Sequence, residues 1–274
     1  MFFHIFCSAP KNIVVTFPIL KALTKEMTKG SDHFNVDSII DETDNPHVFI
    51  TTPKDYTRLQ QADVLIENGL GLEPWLEPMI KNARFKKRRV VTSTGIIPMR
   101  FINNPNALDP HAWHNLKHAK IYIQNIADAL IKEDPEHLMV YQKNRDAYLK
   151  KLDFLHKKIQ TLFQKLNNKT IITTHDAFWY FGKEYGITFL SPLGISTNEE
   201  PSSYTMAKLI RYIKAHKIKS AVFEQHTNNT LVQKLIQETG IKQGGVLYAD
   251  SLKNGDFIET IEHNAQTIFN ALFD

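Results

Sequence analysis

Histidine is the chemically versatile side chain that stands out in this sequence: 12 occur among 274 residues. Three of them sit where a strand gives way to a loop or a loop to a helix. His47 lies in the polar loop that begins at Asp41, His111 in Asp109-Pro110-His111-Ala112-Trp113, and His175 in Thr173-Thr174-His175-Asp176-Ala177. Asp250, in Tyr248-Ala249-Asp250-Ser251-Leu252, follows a last short apolar run and adds a carboxylate. Open α/β sheets bind ligands in the crevice beyond the carboxyl ends of their strands, so these four positions can converge there. Neutral imidazoles and a carboxylate together suit a first-row divalent ion in tetrahedral or five-coordinate geometry.

A second, local arrangement competes. His111, His114 and His118 are spaced three and four apart, and on a helix His114 and His118 would share a face and could clamp an ion. The plainer reading turns both to solvent, with Ile121, Ile123 and Ile126 on the core side, and it is preferred. His4, His33, His137, His156, His216, His226 and His263 have no suggestive neighbours in sequence and read as surface or hydrogen-bonded polar residues. There is no HExxH, CxxC, EF-hand loop, GxSxG elbow or GxxxxGK[ST] phosphate loop, so the common local signatures of metalloproteases, serine hydrolases and nucleotide-binding enzymes are missing.

Composition narrows the class further. Hydrophobic residues at 42% and charged residues at 23% are ordinary for a globular chain and argue against disorder. The charge of +4, from 33 basic and 29 acidic residues without a basic stripe, argues against nucleic acid as a partner. Cys7 is the single cysteine, which excludes an intramolecular disulfide and a cysteine-rich zinc cage. No run approaches the roughly 18 apolar residues of a membrane span. Met1 to Ala9 is apolar and ends in small residues, as the tail of an export signal would, but lacks its positive start.

The elements that must position the candidate ligands alternate. Strands are expected at Asn12–Phe17, Phe34–Ile40, Asp63–Ile66 and Arg88–Ser93, with helices at Pro18–Lys29, Pro53–Ala62 and Glu73–Lys81 between them. An Asn- and Pro-rich loop from Gly95 to Pro110 leads to a helix at Asn115–Lys132. From Pro135 to Leu166 no Gly or Pro follows the opening proline, and apolar residues recur three or four apart. A helix of that length spans roughly 45–50 Å. A rigid spine between two lobes explains it better than a coiled coil, because strand–helix alternation resumes beyond it. Strands at Lys169–Thr174, Ile187–Leu190, Ser220–Glu224 and Val246–Tyr248 alternate with helices at Ala177–Tyr185, Ser202–His216, Thr227–Thr239 and Asp256–Leu272. The expected fold is α/β, with an N-terminal lobe over 1–134, a linker helix over 135–168 and a C-terminal lobe over 169–274. Short strand–helix links imply mainly parallel sheets.

Several segments resemble the zinc/manganese-binding solute-binding proteins of bacterial ABC transporters, the TroA-like or ZnuA-like group. They are Glu67-Asn68-Gly69-Leu70-Gly71-Leu72-Glu73-Pro74-Trp75-Leu76, Asp109-Pro110-His111-Ala112-Trp113, and Thr174-His175-Asp176-Ala177-Phe178-Trp179-Tyr180-Phe181. Glu199-Glu200-Pro201-Ser202-Ser203, Phe223-Glu224 and Tyr248-Ala249-Asp250-Ser251-Leu252 complete the set, in the family's order from about residue 12 onward. The resemblance implies two α/β lobes joined by one long backbone helix, with a metal site in the cleft between them. Carried over, the ligands are His47, His111, His175 and Asp250; beside them Asp176 and Glu224 read as partners that orient an imidazole or neighbouring backbone.

The implied function is a monomeric periplasmic or membrane-associated receptor that captures Zn(II), or alternatively Mn(II), and delivers it to a membrane permease. A stiff connecting helix would confine release to small lobe shifts or loop rearrangement at His47 or Asp250. A zinc-dependent hydrolase is the alternative of another class, disfavoured because four protein ligands leave no position for substrate. Two departures bear on loop conformation rather than on ligands. The first histidine is preceded by Thr43-Asp44-Asn45-Pro46, and Trp113 is followed by His114-Asn115-Leu116. The stretch Gly95–Leu108 contains no histidine, unlike the His-rich loop of many zinc-specific members, which weighs against a dedicated zinc scavenger.

Overall fold

The structure, a computed structural model, describes residues 9–101, 104–194 and 201–273. Cys7 and the apolar start, and Glu199-Glu200 of one family segment, lie outside the described residues. The first half contains β1 (Lys11–Val15), α1 (Pro18–Thr28), β2 (Phe34–Ser38), α2 (Pro53–Gln61), β3 (Val64–Glu67), α3 (Leu76–Ala83) and β4 (Arg88–Val91). A short hairpin of β5 (Arg100–Phe101) and β6 (Asn104–Leu108) precedes α4 (Leu116–Glu133) and α5 (Leu138–Phe163). The second half contains β7 (Thr170–Ile172), α6 (Trp179–Tyr185), β8 (Thr188–Leu190), α7 (Ser203–Ala215), β9 (Ser220–Glu224), α8 (Thr230–Thr239), β10 (Lys242–Leu247) and α9 (Phe257–Leu272).

Two four-stranded sheets result, ordered β2-β1-β3-β4 and β10-β9-β7-β8, with every pairing parallel. Helices cover these sheets, which is why β3 reads as an unbroken buried run rather than an alternation. Each sheet reverses its direction of growth once, between β1 and β3 in the first and between β7 and β9 in the second. Such switch points open a crevice at the strands' carboxyl ends.

The long helix α5 has 26 residues, roughly 39 Å of axis. Its buried stripe of Tyr141, Tyr148, Leu152, Leu155, Ile159 and Phe163 recurs at helical spacing. It packs on α1 and α4 of the first half and on α6 and α9 of the second, so a single apolar core runs from Ile13 in the first sheet to Phe257 in the last helix. A smaller core of Ile172, Ile213, Ile218, Ala221, Val232, Leu235 and Ile241 lies under α7 and α8.

Two features of the sheets escape a reading by pattern. The Gly95–Pro110 stretch, expected to be loop throughout, folds back as the β5–β6 hairpin, pairing Arg100 with Leu108. The strand β10 begins at Lys242 rather than Val246, because Gly244 and Gly245 form a bulge within it instead of ending a loop. A Cβ on Gly244 would lie 2.4 Å from that of Ala271, and Gly245 has φ +124°, a conformation open to glycine alone.

Candidate metal centre

His47 stands in the loop after β2. Its backbone N–H donates to Asn45 Oδ1 at 2.9 Å, and the Trp75 indole N–H donates to the Pro46 carbonyl at 2.8 Å, which ties the loop to the start of α3. His111 precedes a single 3₁₀ turn, Ala112–His114, and α4 starts only after Asn115, whose side chain accepts from the Lys117 N–H. Beneath this loop Asn68 donates to the Pro110 carbonyl at 3.0 Å and accepts from the Tyr122 hydroxyl at 2.6 Å. Buried Glu73 in turn accepts from the Asn68 N–H and the Thr16 hydroxyl, each at 2.7 Å. Burial pushes the Glu73 carboxyl up to about 7 despite these bonds. The Glu67–Leu76 segment thus anchors the loop that bears His111.

From the second lobe, His175 follows β7 and Asp250 follows β10. The four side chains meet: one ligand atom from each of His47, His111, His175 and Asp250 lies within 4.8 Å of all the others. His111 Nε2 is 3.2 Å from His47 Nε2 and 3.5 Å from Asp250 Oδ1. Asp250 Oδ2 is 3.7 Å from His47 Nε2 and 3.6 Å from His175 Nε2. Ligands placed tetrahedrally at zinc's usual 2.0–2.1 Å are separated by ~3.3–3.4 Å. The three imidazoles are buried, and His175 Nε2 and Asp250 Oδ1 have no hydrogen-bond partner. Unpartnered buried polar atoms are costly unless something binds them. A donor set of this type and spacing, with two of its buried atoms unpartnered, fits a small divalent cation.

The orientation of two imidazoles is held by carboxylates behind them. Asp109 Oδ1 accepts from the His111 N–H at 2.9 Å and lies 2.8 Å from its Nδ1. Glu224, at the end of β9, accepts from the Thr174 and His175 N–H groups at 2.8 and 3.0 Å and bonds His175 Nδ1. With Nδ1 facing a carboxylate, each ring turns its Nε2 toward the cluster. Glu224 therefore sits where the sequence reading put a supporting partner. Asp176 does not touch an imidazole; it accepts from the Ser191 hydroxyl at 2.6 Å. Asp109 was missed as a partner, although its position two residues before His111 was visible.

The local electrostatics differ across the cluster. Burial lowers His111 well below the ordinary imidazole value. Burial would also lower His175, but the Glu224 carboxylate, with Asp250 and Asp176, raises it to about 9. Burial pushes Asp109 up to about 7 against its bond from His111. Burial favours neutral Asp250 as well, yet His47, His111 and His175 outweigh it and hold the group below the usual carboxylate range.

His114 and His118 form no clamp. His114 ends the 3₁₀ turn and the break at Asn115 separates it from α4, so the two do not share a helix face, and neither faces solvent as the sequence suggested. His114 is buried, 3.1 Å through Nε2 from the Ala249 carbonyl of the other lobe, and burial drives it down to about 3. His118 is half-buried with its ring edge-on to Tyr180 at 5.1 Å. Trp113 also donates to the Ala249 carbonyl, at 3.2 Å, and the Tyr180 hydroxyl bridges Met99 N–H and the Asp109 carbonyl. The bonds to Ala249 join the two lobes next to the cluster. His33 and His137, read as isolated, stack on one another at 3.8 Å beside Asp134.

Residues 13–271 match the family described as zinc-uptake complex component A, periplasmic (ZnuA). The chain belongs to this family. It is 32% identical over 276 residues to a metal ABC transporter substrate-binding lipoprotein of Lactococcus lactis, covering 95% of this chain and 88% of that one. It is 32% identical over 245 residues to the high-affinity zinc uptake system protein ZnuA of Bacillus subtilis, covering 84% and 76%. Among solved structures, a Mn-bound periplasmic metal-binding protein from Candidatus Liberibacter asiaticus superposes with a TM-score of 0.86 at 26% identity, covering 96% of this chain and all of that one. This ZnuA-family chain is accordingly a metal-binding receptor of an ABC transporter and not an enzyme. Among its described residues no helix is long and apolar enough to cross a membrane.

Proposed function

We propose that His47, His111, His175 and Asp250 are the cargo ligands, that the cargo is Zn(II), and that the loaded receptor acts as an extracytoplasmic monomer delivering it to a membrane permease. The observation that supports this is the donor set itself: three imidazoles and one carboxylate drawn from both lobes, with ligand atoms mutually within 4.8 Å. Imidazole-rich four-donor sites suit zinc. Capture exchanges the ion's water shell for these donors. Release requires the lobes to separate slightly or the His47 or Asp250 loop to move, because the shared core around α5 resists a wide hinge.

One observation favours a second reading, Mn(II). Asp250 presents Oδ1 toward His111 and Oδ2 toward His47 and His175, so it can supply both oxygens and raise the coordination number, which harder ions prefer. Elemental analysis decides between the two: untagged protein is released from the cells that naturally make it, without chelator, and its metals are counted. About one zinc per chain supports the first reading. Manganese in excess over zinc overturns it. Fractionation of the same cells tests the location, since protein confined to the cytoplasm could not serve a permease from outside.

A further inference from the structure

A second set of donors assembles at the opposite end of the first sheet, where its parallel strands begin. His33 immediately precedes β2, while Asp134 and His137 lie in the turn between α4 and α5. One ring nitrogen of each histidine and one Asp134 oxygen lie within 4.8 Å of one another, and all three residues are half-buried. The imidazoles stack with planes 26° apart. His137 Nδ1 lies 2.9 and 3.0 Å from the two Asp134 oxygens. The Tyr141 hydroxyl donates to Asp134 Oδ2 at 2.5 Å, and Ser31 Oγ lies 3.3 Å from that hydroxyl.

The Asp134–His137 pair alone could be a turn-closing hydrogen bond between residues three apart. It does not account for His33, which arrives from a distant part of the chain. The His33 backbone is fixed by the Lys11 N–H on its carbonyl at 2.9 Å, and its ring stacks on His137 with Nε2 3.6 Å from Asp32 Oδ1. Stacked imidazoles repel one another if both are charged, but as neutral rings each keeps one nitrogen lone pair that an ion beside the Asp134 carboxylate can use. Tyr141, itself beside Ser31, then holds that carboxylate, as outer-shell groups do around bound ions.

The geometry points to a second metal site, formed by His33, Asp134 and His137, that takes an imidazole-preferring divalent transition-metal ion, with water completing its shell. By the general order of divalent affinities copper(II) binds there most tightly and zinc(II) more weakly. The rings must splay from their stack to aim both nitrogens at one ion, and the site is open to water. It is therefore weaker than the buried cluster and independent of the cleft between the lobes. An ion there cross-links the start of β2 to the turn that launches α5.

Copper(II) titration of untagged protein, followed by calorimetry and electron paramagnetic resonance, tests the site. Wild type should bind two equivalents, the weaker with hyperfine splitting from two nitrogens. His33→Gln and His137→Gln should each lose the weaker equivalent and keep the tight one, whose retention also reports that the variant is folded. A single equivalent in wild type would overturn the proposal. So would a second equivalent that persists in both variants. Neither result touches the cargo reading, which rests on the tight equivalent and its loss in His111→Ala.

Discussion

Two histidine–carboxylate pairs face each other across the cleft, and they are built in opposite ways. In the first lobe Asp109 holds His111 within one loop, two residues apart. In the second Glu224 holds His175 from a neighbouring strand, 49 residues away. Both pairs aim Nε2 at the same point, but His111 is driven toward neutrality while His175 is raised to about 9. If these residues hold the cargo as proposed, the first half of the centre binds at neutral pH without losing a proton, whereas the second gives one up to admit the ion. Equivalent geometry does not imply equivalent protonation, because the proton follows the net charge around each ring.

The largest effects should come from removing a ligand. His111→Ala and His175→Ala are each expected to weaken zinc binding by more than about 100-fold, beyond the 10–100-fold typical of outer-shell losses. Competition against a chromophoric chelator reads both. Next come the partners. Asp109→Asn and Glu224→Gln should each weaken binding about 10–100-fold, but only Glu224→Gln should abolish proton release on zinc binding at pH 7. Calorimetry in buffers of different ionisation enthalpy counts those protons, and equal release from both variants would break the comparison.

The pH dependence follows with a definite sign. Below about 9 His175 is protonated, so each bound ion expels a proton and affinity should rise about tenfold per pH unit toward that value, then flatten. The metal-free fold responds oppositely. A raised imidazole pKa contributes stability that is complete below the unfolded value of 6.5 and lost as pH rises through about 9. Denaturant midpoints of metal-free protein at pH 6.5 and 9 check this, with Glu224→Gln removing the difference.

Smaller effects belong to the histidines outside the ligand set. His114→Ala strips the buried contact to the Ala249 carbonyl and should destabilise the fold by about 1–3 kcal/mol with little change in zinc affinity. His118→Ala should shift stability by no more than about 0.5 kcal/mol. A large loss of affinity from His118→Ala would restore the helical clamp that the Asn115 break argues against.

Much of the frame was legible because its signals are local. The long helix was expected from Pro135 to Leu166 and runs as α5 over Leu138–Phe163, since an uninterrupted apolar stripe without Gly or Pro has few other solutions. The strand Ser220–Glu224 lies where its β-rich run put it. The hairpin in Gly95–Pro110 and the start of β10 were hidden. Asn-, Pro- and Gly-rich stretches resemble loops unless the neighbours that accept the backbone are known, as with Gly244 against Ala271. Within the site, the four candidate ligands were nameable because each stands at an element boundary. The burial of His114 and the stacking of His33 on His137 were not, because both depend on residues far off in the chain.

By itself, the sequence determined which side chains could bind an ion, the alternation that produces parallel sheets, and the stiffness of the segment between the lobes. These follow from residue type, periodicity and the placement of Gly and Pro, all short-range properties of a chain. Only the tertiary structure decided which donors share one point, which ring nitrogen each presents, and which imidazole its neighbours push toward the charged form. Those are settled by strand order and by charges that meet in space. Glu224 reaches His175 solely because β9 lies beside β7, and no spacing along the chain states that.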